Sequence, residues 1–199
     1  MTFQPRPFVL FFTALLSIVA LQSTLNAVEA PVSDFSVDKK DKTHWFDIKN
    51  LGMEGKGWTE TESFFDRLPK KAKGVVRPPV WSLSKHSAGM AVRFVTNATS
   101  IKAKWELTSP SIAMNHMAAT GVSGLDLYVK TESGKWRWLA VGKPSQQKNS
   151  VSLTSGLVPG KREYILYLPL YNGVKSVEIG IPESNQLWKA PAREPGKDK

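Results

Sequence analysis

The chain has 199 residues with a formal net charge of +10, and it contains no cysteine. The lack of cysteine excludes a disulfide-stapled module and a thiol-linked lipid anchor. After a leader, about 170 residues remain, which is enough for one domain with a single core. The lysines are scattered or lie in flexible stretches, so we predict a solvated basic surface and no nucleic-acid partner.

The first residues are predicted to be an export signal. Arg6 precedes an almost wholly apolar run at residues 8–21, and small residues follow at Ala27 and Ala30. This order is typical of a secretory signal peptide. As a helix the run spans about 21 Å, short of the roughly 30 Å hydrocarbon core, which disfavours a retained membrane anchor. We expect a signal peptide at residues 1–27, with cleavage after Ala30 as the alternative.

Export and the absence of disulfides together predict a periplasmic or extracellular protein from a bacterium, with no stable membrane insertion after cleavage. The next segment, residues 28–42, is expected to be a polar lead-in. A first short strand is predicted at residues 45–48. Residues 58–68 are compatible with either a strand or a short helical turn. Residues 70–79 are predicted to be a surface connection, because they combine lysines, a glycine and two consecutive prolines.

From residue 88 onward the pattern is that of short strands. Residues 100–108 alternate strictly, with Ile101, Ala103, Trp105 and Leu107 on one face and charged residues on the other. Further strands are predicted at 88–96, 124–131, 135–141, 151–153, 163–168 and 176–181, separated by turn residues. The fold class is therefore predicted to be all-β, an antiparallel, jelly-roll-like β-sandwich at residues 43–182. Residues 183–199 are expected to be a disordered, linker-like tail.

Groups for catalysis or metal binding are not apparent in the sequence. The three histidines, His44, His86 and His116, lie far apart, and no serine stands in a Gly-x-Ser-x-Gly turn. No histidine pair or acidic cluster has metal-ligand spacing. We therefore expect no metal, no cofactor and no independent active site, and a minimal esterase built on His116 is the weakest of the alternatives.

Tryptophan and one aspartate are the remaining candidates for recognition. Trp105 is assigned to the core by its phase with Ile101 and Leu107. Trp136 and Trp138 share one strand face, which is either a core face or a platform on which sugar rings stack. Asp126 lies within a strand pattern, so its carboxylate is either solvent-facing on an edge or buried and hydrogen-bonded to backbone or to Arg/Lys, and we predict the second, a structural anchor.

Several segments carry a resemblance to a known family. They are Gly124-Leu125-Asp126-Leu127-Tyr128, the stretches 65–69, 80–84 and 87–94, the loop 114–121, and Tyr167-Leu168-Pro169-Leu170-Tyr171-Asn172. In combination and in order they resemble the N-terminal domain, with its GxDLY signature, of SGNH (GDSL-like) hydrolases. The chain departs from that pattern at Asn115 and Ala118, where the resemblance leads one to expect prolines.

The resemblance implies a jelly-roll-like sandwich that precedes an SGNH hydrolase domain, with the catalytic serine and the Asp-His pair in that following domain. It implies structural signature positions, which here are Gly124, Asp126, Leu127, Tyr128, Leu168, Pro169 and Tyr171. The candidate interface or substrate-edge loop comprises Met114, Asn115, His116, Met117 and Thr120, because methionines offer an adaptable apolar contact.

An accessory, non-catalytic domain is therefore the leading hypothesis, with a hydrolase domain or an acylated carbohydrate-like substrate as its partner. A free-standing carbohydrate-binding module is the alternative. The first hypothesis predicts an exposed apolar patch where a hydrolase domain docks, and the second predicts exposed, coplanar aromatic rings.

Overall fold

The structure is a computed structural model that describes residues 30–193, so the predicted signal peptide at residues 1–27 lies outside the described residues. Within this described part there are two short α-helices, α1 (Pro78–Leu83) and α2 (Ala119–Ser123). The strands are β1 (Ser36–Asp38), β2 (Thr43–Asp47), β3 (Met53–Glu54), β4 (Ala91–Thr96), β5 (Ile101–Leu107), β6 (Leu125–Lys130), β7 (Trp136–Gly142), β8 (Lys148–Thr154), β9 (Arg162–Tyr167), β10 (Val174–Pro182) and β11 (Leu187–Lys189).

The strands form two antiparallel sheets. One has the order β1-β2-β10-β5-β8, and the other has the order β11-β4-β9-β6-β7, with β3 also paired to β4. The inward side chains of both sheets make up one apolar core. This confirms the predicted all-β antiparallel sandwich. Within residues 30–193, no helix is long and apolar enough to cross a membrane.

Strand β5 shows why the sequence folds in this way. Ile101, Ala103, Trp105 and Leu107 are buried, whereas the three alternating charged residues between them are partly exposed. The predicted core position of Trp105 is therefore confirmed, and its indole Nε1 donates a hydrogen bond to the carbonyl of Ser123 at 3.2 Å. That bond connects β5 to the last residue of helix α2, directly before strand β6.

The lead-in predicted at residues 28–42 contains more structure than a polar linker. Strand β1 pairs with β2, and Val32 and Phe35 pack against the core. The Phe35 ring stacks on His44 with centroids 4.2 Å apart. The sequence pattern missed this strand because only three residues pair, and its one large apolar residue, Val37, is half exposed.

The prediction of a disordered tail from residue 183 is wrong for the part that the structure describes. Strand β11 pairs with β4, and the side chains of Leu187 and Trp188 are buried. Arg93 then holds the following chain, since its Nη2 donates to the Pro191 carbonyl at 2.8 Å. Two adjacent apolar side chains that complete a sheet edge outweigh the nearby prolines and charges. Residues 194–199 lie outside the described part.

The long connection between β3 and β4, residues 55–90, contains helix α1 and turns, with no strand at residues 58–68. Pro78 at the first helical position and Pro79 fit the start of α1, because that position has no intrahelical amide partner to lose. Ion pairs hold this connection in place. Lys85 Nζ contacts Asp66 at 2.7 Å and Glu62 at 2.9 Å, and Lys73 contacts Glu62 at 2.9 Å.

Candidate functional site

Four of the six segments that carry the family resemblance line a single cleft of about 220 Å3, although they are distant in sequence; they are 87–94, 114–121, 124–128 and 167–172. We name it the signature cleft. Its lining consists of Gly89, Thr120, Gly121, Gly124, Asp126, Tyr128, Tyr167, Leu168 and Leu170. The pairing of β6 with β9 creates it, because Asp126 lies opposite Tyr167.

Strand β6 presents its signature residues on two faces. Leu125 and Leu127 are fully buried in the core, so Asp126 and Tyr128 point to the outer face of the sheet. The Tyr128 and Tyr167 rings meet edge to face, with centroids 5.7 Å apart. Gly124 directly precedes the strand, and a Cβ there would lie 2.3 Å from the carbonyl oxygen of Thr120, so that only glycine fits.

Asp126 differs from the buried anchor that the sequence predicted. Its side chain is only partly buried, and Oδ1 accepts a hydrogen bond from Nε1 of Trp138 at 3.2 Å. The predicted partners were backbone amides or a basic side chain. The difference follows from the register, since Asp126 lies on the face turned away from the core, beside the edge strand β7.

Trp136 and Trp138 also lie on this outer face. Trp138 is 57% exposed, which excludes the core alternative for this residue, and Trp136 is half-buried. In the register of β6 and β7, Trp138 lies opposite Tyr128 and Trp136 lies opposite Lys130. An irregularity between Leu127 and Tyr128 shifts the pairing there.

Asn172 holds the loops that surround the signature cleft, and sequence reasoning did not single it out. Its buried amide joins three segments. Oδ1 accepts from the Ser109 amide and the Thr108 hydroxyl, both at 3.2 Å. Nδ2 donates to the Ser109 carbonyl and the Ser123 hydroxyl, both at 3.1 Å. Its place in the Tyr-Asn-Gly turn after Leu-Pro-Leu was the only signal available.

The loop from Leu168 to Gly173 is fixed by further contacts. The buried hydroxyl of Ser87 donates to the Pro169 carbonyl at 3.0 Å. At Gly173 a Cβ would lie 2.3 Å from the Lys85 carbonyl oxygen, so the chains approach too closely for any larger residue. Held in this way, the loop buries Leu168 and leaves Leu170 50% and Tyr171 45% exposed.

The predicted edge loop adjoins the cleft. Met114 and Met117 pair through their backbones, and the Met117 side chain lies 3.1 Å from the position that a Gly121 Cβ would take. Thr120 lines the cleft itself, and Met114 is 37% exposed. His116 and Asn115 are exposed and bonded to each other, with Nδ1 and Oδ1 2.7 Å apart.

The electrostatics around the site come from ion pairs. The hydrogen bonds from Lys73 and Lys85 lower the pKa of Glu62 to about 2. Partial burial opposes protonation of Lys85, but its bonds to Asp66 and Glu62 prevail and raise its pKa. On the outer face Arg93 pairs with Glu54 and Glu163, and Lys130 reaches Glu163 at 2.8 Å. These pairs stabilise structure, whereas Asp126, which lines the cleft, belongs to no ion pair among residues 30–193.

Catalytic geometry is not found among the residues that the structure describes. Across residues 30–193, no ring nitrogen of His44, His86 or His116 is hydrogen-bonded to a serine or a carboxylate. Partial burial and the nearby Arg67 lower the pKa of His86. Over the same residues, no three His, Asp or Glu side chains cluster in a way that would hold a metal ion.

Comparison with known proteins gives a consistent result. The family model GxDLY, the N-terminus of SGNH hydrolase-type esterases, matches residues 43–187. The chain is similar to the crystal structure of a candidate GDSL-like lipase from Bacteroides ovatus, with 33% identity and a TM-score of 0.70. That match covers 75% of this chain but only 43% of the lipase. No curated protein matches the chain significantly.

Two further solved structures match more distantly. The salicylyl-acyltransferase SsfX3 of a tetracycline biosynthetic pathway is 17% identical, with a TM-score of 0.41, over 65% of this chain and 35% of that one. A family two carbohydrate esterase from Clostridium thermocellum, in complex with cellohexaose, is 16% identical, with a TM-score of 0.33, over 52% of this chain and 26% of that one.

Proposed function

The chain belongs to the GxDLY family, the N-terminal domains of SGNH hydrolase-type esterases, and from this we propose that it is an accessory domain that docks a hydrolase domain. The docking surface consists of the signature cleft and the exposed residues Met114, Leu170 and Tyr171 beside it. Export to the periplasm or beyond, through the leader at residues 1–27, is part of the same proposal.

The observation that carries this proposal is the convergence of four of the family's motifs on one rim of the sandwich. Residues that served the fold alone would face the core, as Leu127 does, but Asp126, Tyr128, Leu170 and Tyr171 face outward. Exposed apolar and aromatic side chains that share a rigid rim are typical of protein interfaces. The hydrogen bonds of Asn172 supply the rigidity.

The relative lengths favour a hydrolase domain as the occupant of this surface. The matched part is less than half of the Bacteroides ovatus lipase, so most of that protein has no counterpart in the matched region. A domain of this family that occurs beside a hydrolase must contact it through some surface, and the signature cleft is the outward surface that the family's motifs share. Catalysis then belongs to the partner.

The test is co-purification. The mature chain, carrying an affinity tag, is produced together with the part of the Bacteroides ovatus lipase that the match does not cover. We expect the two to co-purify in equal amounts. Leu170→Asp and Tyr171→Asp should each weaken retention at least tenfold, because a buried carboxylate at the interface has no partner.

Val158→Asp is the matched control, since Val158 is 70% exposed but lies in the connection between β8 and β9, outside the signature cleft. It should leave retention unchanged. If the wild-type chain retains no hydrolase, or if Val158→Asp reduces retention as much as Tyr171→Asp does, the docking proposal is wrong.

A further inference from the structure

We propose that the outer face of β6, β7 and β9 binds a neutral pyranose chain through four aromatic side chains, the aromatic row: Trp136, Trp138, Tyr128 and Tyr167. Trp138 is 57% exposed and Tyr167 is 42% exposed. Trp138 and Tyr128 are cross-strand partners, and Tyr128 contacts Tyr167 edge to face at 5.7 Å. The row therefore extends from the sheet edge to the signature cleft.

The arrangement suits a sugar ring in particular. A pyranose presents apolar C–H groups on its faces and hydroxyls around its rim, so it needs an aromatic surface with hydrogen-bonding groups beside it. Side chains opposite each other on neighbouring strands are about 4.5–5.5 Å apart, and those two positions apart on one strand are about 6.6 Å apart. The planes of Tyr128 and Tyr167 are 81° apart, so the row is a line of adjacent aromatic contacts and not one flat platform, and the exposed indole of Trp138 is its stacking face.

Asp126 supplies the polar component. Its Oδ1 accepts the hydrogen bond from Nε1 of Trp138 at 3.2 Å, which orients the indole. Its second carboxylate oxygen meets no side-chain donor among residues 30–193, so it is available to accept from a sugar hydroxyl. An indole held by a carboxylate at a sheet edge is pre-organised, which lowers the entropic cost of binding.

The charge of Asp126 also decides between classes of sugar. Lys130, the cation on the same face of β6, is paired with Glu163 at 2.8 Å and forms no ion pair with Asp126. A uronate stacked on Trp138 would bring a second negative charge to this carboxylate, which disfavours acidic chains. The ligand class is therefore a neutral polysaccharide or oligosaccharide.

This inference extends the proposed function without depending on it. Asp126, Tyr128 and Tyr167 belong both to the sugar face and to the signature cleft. Trp136 and Trp138 lie outside the signature cleft, so the edge-strand part of the row stays open to a sugar chain when a hydrolase domain is docked. Sugar binding is measured on this chain alone, and docking is measured without sugar, so the failure of one is distinguishable from the failure of the other.

The experiment is native electrophoresis of the mature chain toward the cathode through gels that contain arabinoxylan, galactomannan, xyloglucan or mixed-linkage β-glucan. We expect at least one of these neutral polysaccharides to retard the protein. Trp138→Ala should weaken the affinity at least tenfold, because it removes the exposed indole, and Trp138→Tyr should restore part of it. Thermal unfolding of each variant verifies that the domain remains folded.

Trp58→Ala is the matched control, because Trp58 is 49% exposed but lies in the 55–90 connection. It should migrate as the wild type does in every gel. The proposal fails if no neutral polysaccharide retards the wild type, or if Trp58→Ala and Trp138→Ala lose affinity equally. It also fails if polygalacturonate alone retards the chain, or if Trp138→Ala abolishes only the co-purification with the hydrolase.

Discussion

The buried amide of Asn172 shows how one polar side chain determines the shape of the candidate site. Its bonds reach Ser109 and Thr108 on one side and Ser123 on the other, so it ties the chain after β5 to helix α2. The loop that carries Leu170 and Tyr171 begins from this fixed point. Both its donors and its acceptor are used, and a buried amide stabilises only when it is satisfied in this way.

Asn172→Ala should therefore lower the free energy of unfolding by about 2–4 kcal/mol, since it leaves the Ser109 amide and the Ser123 hydroxyl buried without their partner. Urea unfolding followed by tryptophan fluorescence measures this. Asn50→Ala is the control, because Asn50 is exposed and makes one bond, to Asp34 at 2.7 Å. It should cost no more than about 0.5 kcal/mol. Equal losses in the two variants would contradict the role of Asn172.

At the scale of single residues, the position of a side chain could be predicted only where the local sequence pattern determines which face of the strand it occupies. Trp105 could be assigned because it alternates with three apolar neighbours. Asp126 could not, because an aspartate between two leucines fits either face of a strand until the partner strand is known. The role of Asn172 was harder still to predict, because asparagine is common in turns and its partners lie 49 to 64 positions away in the chain.

At the level of elements, the long strands were predictable and the short ones were not. β5 and β6 have six or more residues with a buried face and an opposite face that is more exposed. β1 and β11 have three residues each, too few for alternation to be distinguished from chance. These two strands complete the edges of the sheets, and only the register with β2 and β4 defines them.

Leu187→Ala tests whether β11 is an integral part of the domain. Leu187 is fully buried in the core, so its truncation should cost about 2–4 kcal/mol of unfolding free energy through lost contacts and a residual cavity. Leu83→Ala, at a residue that is 49% exposed in α1, should cost less than about 1 kcal/mol. Chemical denaturation of both variants measures the two losses of unfolding free energy. A Leu187 loss as small as that of Leu83 would mean that the tail is peripheral to the fold.

For the whole molecule, the sequence indicated the fold class, the family and several residues of the site, but it did not indicate that these residues meet in one cleft. Alternation and turn spacing were sufficient for an antiparallel sandwich. The motifs around Gly89, Thr120, Asp126 and Leu168 meet in one cleft because β4, β9 and β6 are adjacent, an order that no local pattern reveals. The resemblance supplied the motifs, and the sheet order explains why those segments belong together.

The same arrangement leads us to expect that the chain alone does not hydrolyse esters. A serine nucleophile needs a base within hydrogen-bonding distance and donors for the oxyanion. His116, the candidate of the minimal-esterase alternative, is exposed, and its Nδ1 contacts Asn115 Oδ1 at 2.7 Å. Purified mature chain should therefore release p-nitrophenol from p-nitrophenyl acetate no faster than an unrelated basic protein at equal concentration. Turnover well above that background, kept in Trp58→Ala and lost in His116→Ala, would place catalysis in this domain and remove the need for a hydrolase partner.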